Sequence, residues 1–153
     1  CVKSRLLMTG YYNRPDLTAQ AIDRDGWLHT GDMGIIDQDG YLFIKGRCKN
    51  MILSSNGQNI YPEEIEDKLN NMPYISESIV IEKEGKLVAL IYPDFDLVNE
   101  EKITDEKLDE LMTANLKEIN QQLPAYSQLN TYKLYNEEFE KTPKRSIKRF
   151  LYQ

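Results

Sequence analysis

The sequence predicts an α+β fold, in which a small domain with a three-stranded sheet and flanking helices follows a shorter, β-rich segment. From about residue 47 the chain has the order loop, helix, strand, strand, helix, strand and tail, which is typical of an α+β unit. The residue pattern also changes at this position: residues 26–46 have the pattern of a hairpin, whereas residues 47–62 are mostly polar. We therefore expect a boundary near residues 46 and 47.

The first segment predicts four elements. Residues 4–12 predict a short strand and a turn, and Pro15 at a first helical position predicts a short helix over 13–22. Asp-Gly pairs end at Gly26 and Gly40, where glycine supplies the positive φ of a tight turn. The second pair separates "GII" from "YLFI" and predicts a hairpin. Neither D-x-D-G stretch has the third acidic ligand of a calcium loop.

The second segment predicts two helices. Pro62 lies in the first turn of a helix over 62–72. Thr104 is a predicted N-cap for the longest helix, over 104–123. The apolar side chains of this helix form one stripe at helical spacing, which predicts a core face rather than a cofactor site. They are Leu108, Leu111, Met112, Leu116, Ile119 and Leu123.

Three strands complete the second segment. The runs "SESIVIE" and "KLVALIYP" flank "KEG" and predict a hairpin whose second strand is buried. "LNTYKLY" predicts the third strand. Residues 141–149 then hold five basic residues in nine, in a chain of net charge −6. A basic tail on an acidic protein suggests an anionic small ligand such as a phosphate, although composition alone favours a solvated terminal segment.

Composition excludes several classes of protein. With 41% apolar and 29% charged residues, the 153-residue chain is predicted to be globular and soluble. Its acidity makes nucleic acid an unexpected partner, and no apolar run reaches the ~18 residues of a membrane span. Two cysteines and no predicted secretion signal favour a cytoplasmic location. A single histidine, His29, argues against zinc sites built on His and Cys, and a start at Cys1 suggests a fragment of a longer protein.

Four blocks carry a resemblance to a known family. "GWLHTGD", "DGYLFIKGR", "KNMILSSNGQNIYPEEIE" and the terminal "KTP...IKR" resemble, in order, the C-terminal part of the adenylate-forming (AMP-binding) acyl-CoA synthetases. "NGQNIYPEEIE" is most similar to the long-chain fatty acid–CoA ligases. The resemblance implies that 1–46 is the end of the large AMP-binding domain and that 47–153 is its small lid domain. It also implies that a fatty acid and ATP form an acyl-adenylate, from which CoA takes the acyl group, with Mg²⁺ as a cofactor.

The resemblance assigns roles to individual residues. Thr30 and Asp32 of "HTGD" are expected at the nucleotide, with the carboxylate accepting hydrogen bonds from the ribose hydroxyls. Arg47 is expected to reach the same ribose. Lys49 matches the hinge position, and Gly57 matches a glycine beside the pantetheine channel of CoA. Without the family, these residues would be turn, cap or surface residues, and no residue is assigned as a metal ligand.

The basic tail departs from the family pattern. Most members carry a glycine–lysine pair shortly after a proline, and that lysine contacts carboxylate and α-phosphate oxygens during adenylation. An ungapped alignment puts Arg145 at the glycine position and Ser146 at the lysine position. Lys148 is the first candidate for the catalytic lysine, because it lies on the same side of an extended segment as Ser146. Lys144 is the second.

Three functions follow as hypotheses. The first is the C-terminal part of an ATP-dependent fatty acid–CoA ligase, inactive when isolated because the phosphate loop and the acyl tunnel of the family are absent. The second is a non-catalytic binding or regulatory module of the same shape, for which the altered tail would be a reason. The third is an adenylating enzyme that transfers the acyl group to another acceptor, such as a carrier-protein thiol. Peripheral membrane contact through the basic tail would be weak.

Overall fold

The computed structural model describes all residues from 1 to 153. The chain forms two compact units, Cys1–Asn50 and Met51–Gln153. No helix is both long and apolar enough to cross a membrane. Each unit has secondary structure of its own, and together they confirm the predicted α+β class.

The first unit is built on one helix and one hairpin. Helix α1 (Pro15–Ala21) begins at the proline, and strands β1 (Asp32–Ile36) and β2 (Leu42–Arg47) pair antiparallel around the Gly40 turn. The helix and the hairpin confirm the sequence prediction. A single 3₁₀ turn (Cys48–Asn50) follows β2.

The predicted strand over 4–12 is wrong. That segment is irregular, with a turn at residues 5 and 6, and the nearest bridge is the isolated one between Val2 and Leu28. Its backbone N–H groups use side chains instead of a neighbouring strand, since Tyr11 N donates to Thr18 Oγ1 at 2.9 Å. A strand requires a ladder partner, and the first unit offers none here.

The second unit is built around a three-stranded sheet. Strands β5 (Ile75–Lys83) and β6 (Lys86–Pro93) pair antiparallel, and β7 (Thr131–Leu134) joins β6 in parallel. The order is β5-β6-β7, so the central strand is the most apolar one. Two shorter strands, β3 (Ile52–Leu53) and β4 (Asn59–Ile60), form a separate hairpin ahead of the sheet.

Helices α2 (Pro62–Asn70) and α4 (Asp105–Gln122) cover one face of the sheet. Thr104 caps α4 as predicted, because its hydroxyl accepts from Lys107 N at 3.3 Å. Most of the predicted stripe lies in the core: Leu108, Met112 and Ile119 are buried, and Leu116 and Leu123 pack against them. Leu111 is half-buried and lies outside this cluster. They meet the sheet side chains that point to this face, which are Val80, Leu87, Ala89 and Ile91.

Helix α3 (Phe95–Glu100) is absent from the sequence prediction. It follows β6 directly and starts at Asp94, whose carboxylate accepts from Leu97 N at 3.1 Å. Val98 is its one buried residue. A helix of six residues is too short to show the helical spacing of apolar side chains. The N-cap aspartate, Asp94, was therefore the only feature of the sequence that indicated a helix.

The C-terminal tail covers the opposite face of the sheet. Phe139 is fully buried there against Ile79, Ile81 and Leu90. Its ring meets Tyr152 edge to face, with centroids 5.1 Å apart, and Tyr135 lies at 5.3 Å. The tail is therefore a packed layer of the second unit rather than a solvated terminus.

Candidate functional site

Asp32 and Arg47 lie directly opposite each other at the base of the β1–β2 hairpin. Antiparallel pairing brings the first residue of β1 and the last residue of β2 together, although they are far apart in the motif sequence. Arg47 Nη1 contacts Asp32 Oδ1 at 3.0 Å and donates to the carbonyl oxygen of Thr30 at 2.9 Å. The structure thus brings together all three residues predicted to bind the nucleotide.

The turn before β1 depends on Gly31. Its φ of +76° lies in the left-handed region, and its carbonyl oxygen accepts from Cys48 N at 2.8 Å. A Cβ at this position would meet only Arg47 Nη1, at 3.7 Å, so the backbone angle rather than space requires the glycine. The turn leaves Asp32 Oδ2 without a hydrogen-bond partner. One oxygen of this carboxylate is therefore available as an acceptor.

A second polar cluster, missed by the sequence analysis, precedes this turn. His29 Nε2 lies 3.1 Å from Asp23 Oδ2, and His29 Nδ1 lies 3.4 Å from Cys1 Sγ. Asp23 also accepts from the backbone N–H of Trp27 at 2.9 Å. These contacts lower the pKa of Asp23, the Trp27 N–H having the largest effect and His29 the next. The cluster holds the loop that leads to Thr30.

The predicted hinge and channel residues have few contacts. Lys49 is exposed, forms no hydrogen bond or ion pair, and lies in the 3₁₀ turn at the end of the first unit. Gly57 has φ +79° in the turn between β3 and β4, where its N–H donates to Ser54 O at 2.9 Å. Nothing lies within 4 Å of a Cβ built at Gly57. Within this chain the glycine serves the turn and not a close approach.

The basic tail folds back on itself as a tight hairpin. Lys148 N donates to Glu140 O, and Thr142 N donates to Ser146 O, both at 2.8 Å. Lys141 and Ile147 form the bridge between these two pairs. The residues at the tip are 143–145. Ser146, which the sequence alignment is expected to put at the position of the family lysine, is exposed and comes directly after the tip.

The two candidate lysines have different surroundings. Lys148 lies at the base of the tail hairpin, where its Nζ contacts Glu140 Oε2 at 2.9 Å and one third of its side chain is exposed. Lys144 lies at the tip, is exposed and forms no ion pair or hydrogen bond. A lysine that is already neutralised must leave its partner to bind a substrate, whereas Lys144 need not.

A buried ion pair attaches the end of the tail hairpin to the core. Arg149 Nη2 contacts Glu66 Oε1 of α2, and the same oxygen accepts from Val80 N of β5 at 2.6 Å. Only 14% and 11% of the Arg149 and Glu66 side chains are exposed. Burial raises the pKa of Glu66, and the charge of Arg149 opposes that rise. The sequence analysis missed this pair, for which the only signal was an acidic residue beside the apolar positions of α2.

No group of three or more His, Cys, Asp or Glu side chains in the chain could hold a metal ion. Mg²⁺ is commonly held by substrate phosphates with one or two carboxylates.

Comparison with known proteins identifies the family. The model of the AMP-binding enzyme C-terminal domain matches residues 49–152. The chain belongs to this family. The match includes Gly57, Glu66 and the whole tail hairpin, whereas Thr30, Asp32 and Arg47 lie before it.

Several long-chain-fatty-acid–CoA ligases are relatives of this AMP-binding family member. One from Mycobacterium tuberculosis is 44% identical over 109 residues, covering 68% of this chain and 21% of the relative. One from Mus musculus is 41% identical over 92 residues, covering 60% of this chain and 13% of the relative. The chain thus spans about a fifth or less of the relatives it matches.

Solved structures support the fold of the AMP-binding family. A fatty acyl CoA synthetase of M. tuberculosis is 33% identical with a TM-score of 0.51, covering 97% of this chain and 28% of that one. The adenylation domain of a carboxylate reductase from Mycobacterium chelonae is 22% identical with a TM-score of 0.85, covering 97% and 25%. At that identity the second likeness concerns the fold alone.

Proposed function

We propose that this chain is the C-terminal part of an ATP-dependent long-chain fatty acid–CoA ligase. The observation that carries the proposal is the base of the β1–β2 hairpin, where Asp32, Arg47 and Thr30 meet immediately before a domain of the AMP-binding family. Relatives that are long-chain-fatty-acid–CoA ligases supply the substrate class. Both cysteines are free, which agrees with a reducing, cytoplasmic location.

The proposed reaction has two steps. A fatty acid carboxylate oxygen attacks the α-phosphorus of ATP, the bond to the bridging oxygen of the β-phosphate breaks, and pyrophosphate leaves. The CoA thiol, after losing its proton, then attacks the acyl carbon, and AMP leaves. Mg²⁺ would be held mainly by the phosphates of ATP, as is common for this ion.

Asp32 and Arg47 would bind the ribose. The unpartnered Oδ2 of Asp32 can accept from a hydroxyl group, and the exposed guanidinium of Arg47 has donors left beside those used for Asp32 and Thr30. The existing Arg47–Asp32 contact fixes the carboxylate before the nucleotide arrives. Such preorganisation lowers the entropic cost of binding.

The tail hairpin would supply a cation for the adenylation step. Lys148 and Lys144 are both candidates for this role. The ion pair between Lys148 and Glu140 favours Lys144, because the tip lysine has no competing partner. In either case the ammonium group would stabilise negative charge shared by the attacking and leaving oxygens.

Lys49 and Gly57 would act when the lid moves between the two steps. Lys49 is exposed at the end of the first unit, where a change of a few backbone angles can redirect the chain. Gly57 would lie beside the pantetheine chain of CoA. The proposed domain limits, 1–46 and 47–153, put Arg47 and Lys49 at the start of the lid, although both residues belong to the first compact unit.

The isolated chain is proposed to be inactive. Its hairpin exposes the apolar side chains of Ile35, Ile36, Leu42, Phe43 and Ile44. These side chains lie on both faces of the hairpin, because successive strand residues point to opposite sides. Apolar side chains exposed in such number normally pack against further protein. We propose that the missing part of the large domain covers it and supplies the acyl and phosphate sites.

The experiment uses the full-length protein that contains this chain. Pyrophosphate release is followed with ATP, Mg²⁺ and a series of fatty acids, with and without CoA, and the 153-residue chain is assayed beside it. We expect release by the full-length protein only, and a thioester only when CoA is present. Thioester formation on a carrier-protein thiol but not on CoA would indicate the alternative acceptor.

A non-catalytic module is the second candidate. One observation favours it: the exposed Ser146 stands where the family has its lysine. No pyrophosphate release with any acid tested, from a full-length protein that still binds ATP, would support this candidate and contradict the ligase.

A further inference from the structure

The five cations of the tail divide into two groups. Three of them are ion-paired with carboxylates: Lys141 with Glu77, Lys148 with Glu140, and Arg149 with Glu66. The other two, Lys144 and Arg145, are exposed and form no ion pair. They are adjacent in sequence and lie together at the tip of the tail hairpin. The positive charge that the tail offers to a ligand is therefore concentrated at this tip.

The backbone at Arg145 has the geometry of a glycine position. Arg145 N donates to Thr142 O at 2.8 Å, and Thr142 N donates to Ser146 O at 2.8 Å. This is a three-residue hairpin loop with a β-turn, Pro143 at its second position and a left-handed residue after the turn, a site that normally takes glycine. Arg145 has φ +61°. The geometry agrees with the alignment of Arg145 to the family glycine.

An arginine in this conformation is strained, and no side-chain contact offsets the strain. Its side chain is exposed and forms no hydrogen bond, ion pair or ring contact. Strained residues of this kind are concentrated at binding sites, where the strain is retained because the side chain serves a ligand. The fold of this chain therefore gives no structural reason for an arginine at position 145.

We propose that Arg145, together with Lys144, binds phosphate oxygens of ATP and so replaces the lysine that Ser146 does not supply. The proposal rests on the proposed function and names a catalytic residue for it. Arg145 donates hydrogen bonds and transfers no proton. A guanidinium presents a planar fork that can hold two phosphate oxygens at once, which allows it to act from a neighbouring position.

The test compares three variants of the full-length protein with wild type in pyrophosphate release and in thioester formation from supplied acyl-adenylate. Arg145→Gly removes the cation and also the strain. We expect a roughly hundredfold loss of adenylation, unchanged thioester formation from the adenylate, and a Tm no lower than wild type. Arg145→Gly with Ser146→Lys restores the family pair and should recover adenylation. Arg145→Lys keeps the charge without the fork and should retain part of the rate.

Lys102→Gly is the matched control. Lys102 is also an exposed basic residue with a positive φ, of 54°, but it lies after α3 and not in the tail. The Lys102→Gly protein should have a Tm no lower than that of wild type, and its rate of adenylation should be unchanged. The control removes the same kind of strained, basic residue outside the tail, so it shows whether the effect on adenylation is specific to the tail.

The outcomes distinguish this inference from the proposed function. Wild type that releases no pyrophosphate with any acid contradicts the ligase and this inference with it. Active wild type with fully active Arg145→Gly overturns the inference alone. An inactive Arg145→Gly protein whose Tm falls below wild type would mean that Arg145 supports the fold, which also overturns it. Selective loss with rescue by Ser146→Lys supports it.

Discussion

Replacing Arg149 with leucine should destabilise the second unit strongly, although the residue lies near the end of the tail. The change leaves Glu66 buried with only the Val80 N–H to bind its carboxylate, and removes the 3.3 Å contact of Arg149 Nη1 with Val80 O. Removing one partner of a buried ion pair costs about 3–5 kcal/mol. For a unit of about 100 residues, this corresponds to a fall in Tm of roughly 12–20 °C.

The size of this effect should depend on pH in a defined direction. Burial raises the pKa of Glu66 above its ordinary value of 4.5, so the folded unit binds the proton more tightly than the unfolded chain. The stability that this protonation contributes is complete below the ordinary value and is lost as pH rises through the folded pKa. Without Arg149 only the hydrogen bond from Val80 N opposes the effect of burial on the pKa of Glu66, so the loss extends to higher pH. The Tm difference between variant and wild type should therefore grow between about pH 4 and pH 7.

The assay must report the second unit alone. Trp27, the only tryptophan, lies in the first unit, so its fluorescence does not serve. Far-UV circular dichroism gives the Tm, and hydrogen exchange of the Val80 amide reports the contact with Glu66 directly. Lys107→Leu is the control, because it breaks the exposed pair with Glu110 and should cost less than about 1 kcal/mol.

The double variant Glu66→Leu, Arg149→Leu tests the reasoning further. It removes both charges, so the unit should be more stable than with Arg149→Leu alone, but it leaves Val80 N unpaired at a cost of about 1–3 kcal/mol. A loss below about 1 kcal/mol for Arg149→Leu, independent of pH, would refute the argument that this pair anchors the tail.

Three further changes test other parts of the molecule. Asp32→Ala should raise the KM for ATP of the full-length protein about tenfold or more, as measured by steady-state kinetics. The Tm should change little, because the pair of Asp32 with Arg47 is exposed. An unchanged KM would contradict the proposed binding of the ribose. Phe139→Ala should cost about 3–5 kcal/mol in urea unfolding, because its ring is fully buried; a change under about 1 kcal/mol would mean that the tail does not seal the sheet. Gly57→Ala should cost about 1 kcal/mol through its left-handed backbone and slow thioester formation but not pyrophosphate release; equal slowing of both would argue against a CoA channel.

The sequence was most informative where the spacing of apolar residues along the chain determines the type of secondary structure. The stripe of α4 and the apolar runs of β5 and β6 repeat at spacings that only one kind of element satisfies. The meeting of Asp32 with Arg47 could also be anticipated, since a hairpin necessarily brings its two ends together. Lys144 and Lys148 differ for a reason the sequence does not contain: the turn at 142–146 is stabilised by hydrogen bonds that assign one lysine to the tip and the other to the base.

Features that depend on distant parts of the chain could not be predicted. Glu66 and Arg149 are 83 residues apart, and nothing near either one indicates its partner. The strand expected over 4–12 failed for the same reason, because strand formation requires a neighbour that local composition does not describe. Asn115 was likewise unexpected as a buried residue, and it is satisfied by the carbonyl of Pro73 at 2.9 Å.

The position of Phe139 in the sequence has a consequence for how the protein is made. During synthesis the helices and the three strands of the second unit emerge before the aromatic residues that cover the second face of the sheet. Until they arrive, Ile79, Ile81 and Leu90 present an uncovered apolar surface to the cell. A nascent or truncated chain that ends before Phe139 would keep its secondary structure but would expose this surface to chaperones and proteases. Folding of the second unit is therefore complete only when the tail has been synthesised.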